Sequence, residues 1–264
     1  MQTEKDEAAA RKQRRYERYL ALAGGELPES VDVGGTAWRK VKTFKHDFFA
    51  ATGLYEDASG RQSVLKMYRP RSYMGLPYGL LSLWEARHEE KVYLALQDTG
   101  HVPKWIGRYG VTGIMHEFVP GKHLTKGSTV DGEFFPKLER LFRTMHQRGM
   151  AYLDTNKPDN ILIGDDGNCY LIDFQITWVQ PPFPLSLFTY PVFALFKDSD
   201  LYHMTKHQRK IFPDSMTAEE FERRRPWYIR IHRIFANPYR RARRAYLRKI
   251  EEGASNRPEG SARH

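Results

Sequence analysis

The sequence predicts an α+β protein, with antiparallel strands in its first half and helices in its second. Three observations carry that prediction. Between Trp38 and Arg69 the chain reads as short runs with strand character, KVKTFKHDFFAATGLYED and SVLKMYR, separated by the turn-forming Asp57-Ala58-Ser59-Gly60. The next segment, LLSLWEARHEEKVYLALQDTG, spaces its apolar residues as a helix does and stops at Gly100. Further on, EFFPKLERLFRTMHQRG places Phe134, Phe135, Leu138, Leu141, Phe142 and Met145 on one stripe, the pattern of a helix packed on a core.

In chain order, residues 1–35 read as a loosely docked or mobile arm, a mixed-charge stretch followed by Gly24-Gly25, Pro28 and Gly34-Gly35. Residues 36–120 hold the first strands, the first helix and two more strands in GRYGVTGIMHEFVPG, with a turn expected at Pro120-Gly121. Residues 121–205 open with the second helix. Ile161-Leu162-Ile163 and Tyr170-Leu171-Ile172 then flank Asp165-Asp166-Gly167 as a hairpin. Residues 206–264 read as a basic helical extension.

The composition limits what such a chain does. Its 264 residues include 41% hydrophobic and 28% charged residues, too apolar for a disordered chain and too polar for an integral membrane protein. One cysteine, Cys169, excludes an intramolecular disulfide and a cysteine-based zinc site, and reads as an inert buried thiol. The amino terminus lacks the apolar core of a secretory signal, so cytoplasmic residence is expected. The net charge of +10 calls for an anionic partner: nucleotide phosphate, anionic lipid or, less strongly, nucleic acid.

The polar residues bracketing the hairpin carry the chemistry. Asp154 and Asn160 precede its first strand and Asp173 follows its second. A hairpin puts the start of one strand beside the end of the next, so Asn160 and Asp173 are expected to be neighbours. Oxygen donors so placed suit Mg²⁺, which takes one or two carboxylates plus substrate phosphates. Asp154, a few residues away, is a candidate base.

With those residues in place, YLDTNKPDNILIGDDGNCYLIDF resembles the catalytic loop, hairpin and metal-binding segment of the protein-kinase-like superfamily. The resemblance covers roughly residues 36 to 205. It implies a two-lobed fold, with a small antiparallel-sheet N-lobe over 36–120 and a reduced, mostly helical C-lobe over 121–205. By resemblance Asp154 is the base, Lys157 the loop lysine that meets the transferred phosphate, and Asn160 and Asp173 the metal ligands. Lys66 in VLKMY resembles the lysine that holds the α- and β-phosphates of ATP. Of Glu85, Glu89 and Glu90, Glu89 shares a face with Val92, Tyr93 and Leu96 and is the expected partner of Lys66. IMHEFVPG resembles the hinge: backbone groups of Glu117 and Val119 meet adenine, and His116 takes the gatekeeper position. Three departures stand out. Tyr152-Leu153 replaces His-Arg, Asn160 follows Asp154 by six positions instead of five, and Gln175 replaces the glycine of Asp-Phe-Gly. No glycine-rich phosphate loop is present in VKTFKHDFFAATG; Lys42, Lys45 and His46 are the cations available there, and Gly53 comes late.

About ninety residues follow Phe174, too few for the usual activation segment and helical lobe. The resemblance therefore runs closest to the lipopolysaccharide-core (Kdo and heptose) kinases and the RIO-type atypical kinases. It implies transfer of the γ-phosphate of ATP, with Mg²⁺, to the hydroxyl of a sugar, a glycolipid or a protein Ser/Thr. The alternatives are a nucleotide-sensing pseudokinase scaffold and a RIO-like RNA-associated kinase. Residues 175–196 carry no charge, and residues 223–250 hold eleven Lys and Arg and no acid. Together they suggest peripheral attachment at an anionic inner membrane face. His203 and His207, four apart, have the spacing of metal ligands but no third ligand nearby.

Overall fold

The computed structural model describes residues 20–22, 25–72 and 78–228. They fall into two compact units, one ending at Phe212 and one beginning at Pro213. In the first unit the architecture is a mixed α/β arrangement built on a six-stranded antiparallel sheet in the order β1-β2-β3-β4-β6-β5. The strands are β1 (Ser30–Val33), β2 (Thr36–His46), β3 (Ala50–Asp57), β4 (Gln62–Tyr68), β5 (Trp105–Tyr109) and β6 (Gly113–Glu117). The run KVKTFKHDFFAATGLYED thus divides into two strands around a turn at Asp47–Phe49, and the sheet starts before residue 36 because Ser30–Val33 pair with Thr36–Arg39. Residues 1–19 lie outside the described residues.

Strand alternation sorts the two faces of the sheet. Leu65 and Met115 point to one side, where they bury against Leu27, Val31, Val33, Trp38, Ala51 and Tyr55. Lys66 pairs with Ile114 and Val64 with His116, so these residues share the opposite face. That face receives α1 (Tyr78–Leu96), whose buried residues Glu85, Ala86, Glu89, Val92, Tyr93 and Leu96 recur at helical spacing. Gly53 is the residue of β3 over which Leu27 packs: a Cβ there would meet Leu27 Cδ1 at 2.7 Å and the Lys42 carbonyl at 3.0 Å. It serves close approach of the chain.

The strand pair β5–β6 turns at Gly110–Thr112. The expected turn at Pro120-Gly121 instead leads into β7 (Gly121–His123), which joins β9 (Ile161–Gly164) and β10 (Cys169–Leu171) in a three-stranded sheet of order β10-β9-β7. The stripe on α2 (Phe134–Gln147) is buried as its spacing predicts. Two residues on either side, β8 (Met150–Ala151) and β11 (Trp178–Val179), make a short ladder. The long α3 (Leu185–Ile211) accommodates Pro191 in its interior, runs through the expected boundary at 205/206, and packs on α2. One core joins these elements to the sheet, from Tyr68 and Ile114 through Tyr93 and Phe174 to Phe142, Tyr152 and Met204.

The second unit contains α4 (Ala218–Arg223). It opens with a capping box in which Thr217 Oγ1 accepts from the Glu220 amide and the Glu220 side chain accepts from the Thr217 amide. The arginine-rich run from 229 onward lies outside the described residues.

Candidate active site

β4 presents Lys66 to the helix face that carries Glu89. The ammonium lies 3.1 Å from Glu89 Oε1 and 2.8 Å from Asp173 Oδ1. Glu89 is 1% exposed, and its second oxygen accepts from the Tyr68 hydroxyl at 2.6 Å. Burial alone would lower the Lys66 pKa, but the carboxylates of Glu89 and Asp173 outweigh it, and the ammonium is held protonated. Burial pulls the other way on Asp173, where Lys66 and then Lys157 prevail and keep the carboxyl below its ordinary range. Of the three glutamates weighed from the sequence, Glu90 pairs with Arg108 at 3.5 Å and Glu85 accepts from Gln175 Nε2 at 2.6 Å.

Gln175 therefore does what no glycine at its position could: it ties the segment after Asp173 to α1, one helical turn before Glu89. A second tie runs from His88 Nε2, which donates to the Thr177 carbonyl at 2.7 Å.

The residues before the hairpin form their own cluster. Asp154 Oδ2 accepts from Lys157 Nζ and from Asn160 Nδ2, each at 2.7 Å. Asn160 thereby turns its amide nitrogen to Asp154 and leaves Oδ1 as an acceptor. The register Leu171–Ile161 and the bond from the Ile172 amide to the Asn160 carbonyl place Asn160 beside Asp173, as hairpin geometry requires. Among the described residues no group of three or more His, Cys, Asp or Glu could hold a metal by itself. One carboxylate and one amide oxygen fit Mg²⁺ completed by substrate phosphates, and do not fit a cage made of protein ligands alone.

The departures from the kinase pattern have physical reasons. Tyr152 fills the position before Leu153 with a buried ring that meets Phe174 at 5.5 Å, and Phe174 in turn meets Tyr93 at 4.9 Å. This aromatic column links the loop after β8, the segment after β10 and α1. Leu153 and Asp173 are the two non-glycine residues with positive φ among the described residues, at 67° and 62°. Such conformations cost about 1–3 kcal/mol each and persist where surrounding bonds over-determine them.

At Leu153, Asp200 on α3 supplies those bonds. Its carboxylate, 1% exposed, accepts from the Tyr152 amide at 2.8 Å, the Leu153 amide at 2.9 Å and Thr155 Oγ1 at 2.9 Å, with His146 Nε2 at 3.1 Å. His207, four residues from His203, donates from Nε2 to the Thr155 carbonyl at 2.8 Å and so belongs to the same brace. Sequence reasoning passed over Asp200, which stands two residues after another acid, Asp198, in the same helix and carries no signal of its own.

After β6, the Glu117 amide donates to the Lys104 carbonyl and the Phe118 amide to the Gln62 carbonyl, whereas the Val119 amide has no partner among the described residues. The Glu117 carbonyl receives His116 Nδ1 at 2.9 Å and keeps one lone pair. His116 is buried and stacks on Tyr93 at 5.1 Å; burial pushes its pKa down to about 4, so the ring is neutral. Where kinases have a glycine loop, Asp47 stands in the turn. Its Oδ1 accepts from the amides of Phe49 at 2.8 Å and Ala50 at 3.0 Å, and its Oδ2 pairs with Lys45 at 2.6 Å. The amides that a phosphate would use are already engaged by a carboxylate.

No protein-family model and no curated relative matches the chain. Among solved structures it is similar to the Rio2 kinase from Chaetomium thermophilum. The ADP/Mg²⁺-phosphoaspartate complex of that enzyme superposes with a TM-score of 0.51 at 17% identity, covering 70% of this chain and 59% of that one. A second structure of the same kinase gives 0.50 at 18% identity, covering 67% of this chain and 59% of that one. The chain thus spans 59% of the Rio2 chains it matches, and the likeness is one of fold, that of protein kinases.

Proposed function

We propose that the chain is an ATP- and Mg²⁺-dependent phosphotransferase that moves the γ-phosphate to a hydroxyl acceptor. The observation that carries this reading is the meeting of two clusters at the ends of one hairpin: Lys66 with Glu89 and Asp173, and Asp154 with Lys157 and Asn160. Lys66, kept charged and aimed by Glu89, orients the α- and β-phosphates. Asp173 and Asn160 Oδ1 would hold Mg²⁺, which supplies neutralisation of phosphate charge. The hinge amide of Val119 and carbonyl of Glu117 hydrogen-bond adenine. Asp154 uses its free Oδ1 to accept the acceptor's proton as the acceptor oxygen bonds to the γ-phosphorus and the bond to the β-phosphate oxygen breaks, releasing ADP. Lys157 offsets charge on the group in transfer.

The resemblance to lipopolysaccharide-core kinases supports a sugar hydroxyl as acceptor, and a protein Ser/Thr is the other candidate. The Rio2 likeness supports a RIO-like variant of the same chemistry, with the basic C-terminal run available to RNA. A second reading rests on Asp47: with its turn amides engaged, the chain would sense nucleotide without transferring phosphate.

The two aspartates separate these readings, because a metal ligand and a proton acceptor fail differently. Asp173→Asn weakens Mg²⁺-dependent nucleotide binding, while Asp154→Asn leaves binding intact and abolishes transfer from radiolabelled ATP to an acceptor panel. Wild-type protein that binds nucleotide and labels no acceptor supports the scaffold. Equal loss of binding in two folded variants counts against the assignment of roles.

A further inference from the structure

The first half of α3 is built inside out. Phe183, Leu185, Leu187, Phe188, Tyr190 and Val192 are 78, 58, 64, 79, 55 and 42% exposed. The polar members of the same stretch face inward: Thr189 Oγ1 donates to Gln180 Oε1 at 2.9 Å, which also accepts from Trp178 Nε1. Ser186, Thr189 and Phe193 follow at helical spacing on the less exposed side, and Phe193 is 4% exposed. A helix docked only on its own protein has the opposite polarity.

α1 has a related outer face. Leu80, Leu81 and Trp84 are 72, 46 and 56% exposed, and one and two turns further on come the exposed cations Arg87 and Lys91. The acids of α1 are withdrawn from that face, Glu85 and Glu89 by burial and Glu90 by its pairing with Arg108. The segment 176–180 connects the two helices. It accepts His88 of α1 at Thr177, packs Trp178 on Phe196 of α3 at 5.3 Å, and exposes Ile176 to 51%. On the α3 side no charge occurs before Lys197, whose ammonium lies over the rings of Tyr190 and Phe193 at 5.4 and 5.2 Å.

We infer that the exposed apolar surface of Phe183 and of the first two turns of α3 as far as Val192, with Leu80, Leu81 and Trp84 of α1, is a docking surface for an anionic lipid bilayer. Aromatic and aliphatic side chains without charge between Phe183 and Val192, edged by Arg87, Lys91 and Lys197 and met by an exposed acid only beyond them at Asp198, match the boundary between acyl chains and negatively charged headgroups. A protein partner of ordinary polarity would leave Arg87, Lys91 and Lys197 without a complement across so apolar a patch. Among the described residues no helix is long and apolar enough to cross a membrane, so the attachment is peripheral. The inference stands apart from phosphate transfer, and its test contains no nucleotide.

The full chain is sedimented with vesicles of equal parts phosphatidylcholine and phosphatidylglycerol, and with phosphatidylcholine vesicles alone. Wild-type protein is expected in the pellet with the anionic vesicles at low salt and to be released as salt is raised. Leu187→Ser with Phe188→Ser should cut partitioning by about tenfold or more while leaving the melting temperature unchanged, because both side chains are exposed in the free protein. Phe188→Trp should retain binding, and Arg87→Gln with Lys91→Gln should weaken it on anionic vesicles alone. Wild-type protein that stays in the supernatant at low salt overturns the inference. So does a serine variant that pellets like the wild type, or one that melts lower without lipid. A dimer in solution that the serine variant dissociates, with vesicles capturing neither form, assigns the surface to a second copy of the chain and equally overturns it.

Discussion

Replacing Asp200 by Ala removes the brace under the 152–155 loop, and the structure gives the scale of the loss. Four donors converge on that carboxylate: the amides of Tyr152 and Leu153, Thr155 Oγ1 and His146 Nε2. Hydrogen bonds to a charged group contribute roughly 1.5–3 kcal/mol each, and they are not additive when they share one acceptor. Deleting one partner of a buried charged cluster costs about 3–5 kcal/mol. In a chain of this length each kcal/mol moves the melting temperature by roughly 2–4 °C, so Asp200→Ala should melt about 6–20 °C below the wild type. Asp200→Asn keeps one acceptor oxygen and should fall between the two. The effect extends to the site, because the Leu153 amide bonded to Asp200 belongs to a residue held at a φ of 67°. Once released, Leu153 relaxes and carries Asp154 with it. Folded Asp200→Asn protein should therefore bind Mg-ATP nearly as the wild type does while losing phosphate transfer. Calorimetric melting curves and nucleotide titration read both effects. An Asp200→Ala protein that melts within about 1 °C of the wild type would refute the reasoning, since no well-packed buried carboxylate with these partners can be removed so cheaply.

Two further outcomes follow from buried titratable groups. Burial brings the pKa of both His116 and His203 down to about 4, from an ordinary value of 6.5. Between those values the unfolded chain takes up protons that the native one does not. Each ring thus contributes stability that is complete above pH 6.5 and lost as the pH falls toward 4, about 3 kcal/mol for the buried His116 and less for the partly exposed His203, where solvent screens the effect. Denaturant melts of the wild type and His116→Gln at several pH values should converge on acidification, and parallel curves would show that His116 does not titrate in this way. Cys169 is fully buried, and burial pushes its thiol up to about 12. It should resist a thiol reagent at mildly alkaline pH in the native protein and react at once in denaturant; rapid native labelling would contradict the packing around β10.

Much of the site was legible because its chemistry is local. Asn160 and Asp173 flank one hairpin, and hairpin geometry alone makes them neighbours. Glu89 could be chosen over Glu85 and Glu90 because helical spacing sets it on the face of Val92, Tyr93 and Leu96. What stayed hidden depends on contacts between distant parts of the chain. Asp200 lies about fifty residues from the loop it holds, and nothing in its own helix distinguishes it from a solvated acid. Ser30–Val33, within a stretch rich in breakers, became a strand because Val31 and Val33 bury against Leu27 and Trp38. The absent glycine loop was visible as a gap, but the Asp47 carboxylate that replaces it could not be read from a pattern that looks for glycine. Gln175 was seen only as a departure, and its bond to Glu85 spans ninety residues.

Titration of Mg-ATP into wild-type protein and into Lys66→Met is the most direct measurement on the proposed nucleotide cleft. With nucleotide at about 100 times its dissociation constant, binding should add roughly 2.7 kcal/mol to wild-type stability and shift its melting curve by several degrees. Lys66→Met should lose most of that shift, because Glu89 and Asp173 are left without the cation they share. Binding heat and a wild-type melting shift that both depend on Mg²⁺ are the predicted result. Wild-type protein that gives neither heat nor shift at millimolar Mg-ATP would contradict the account.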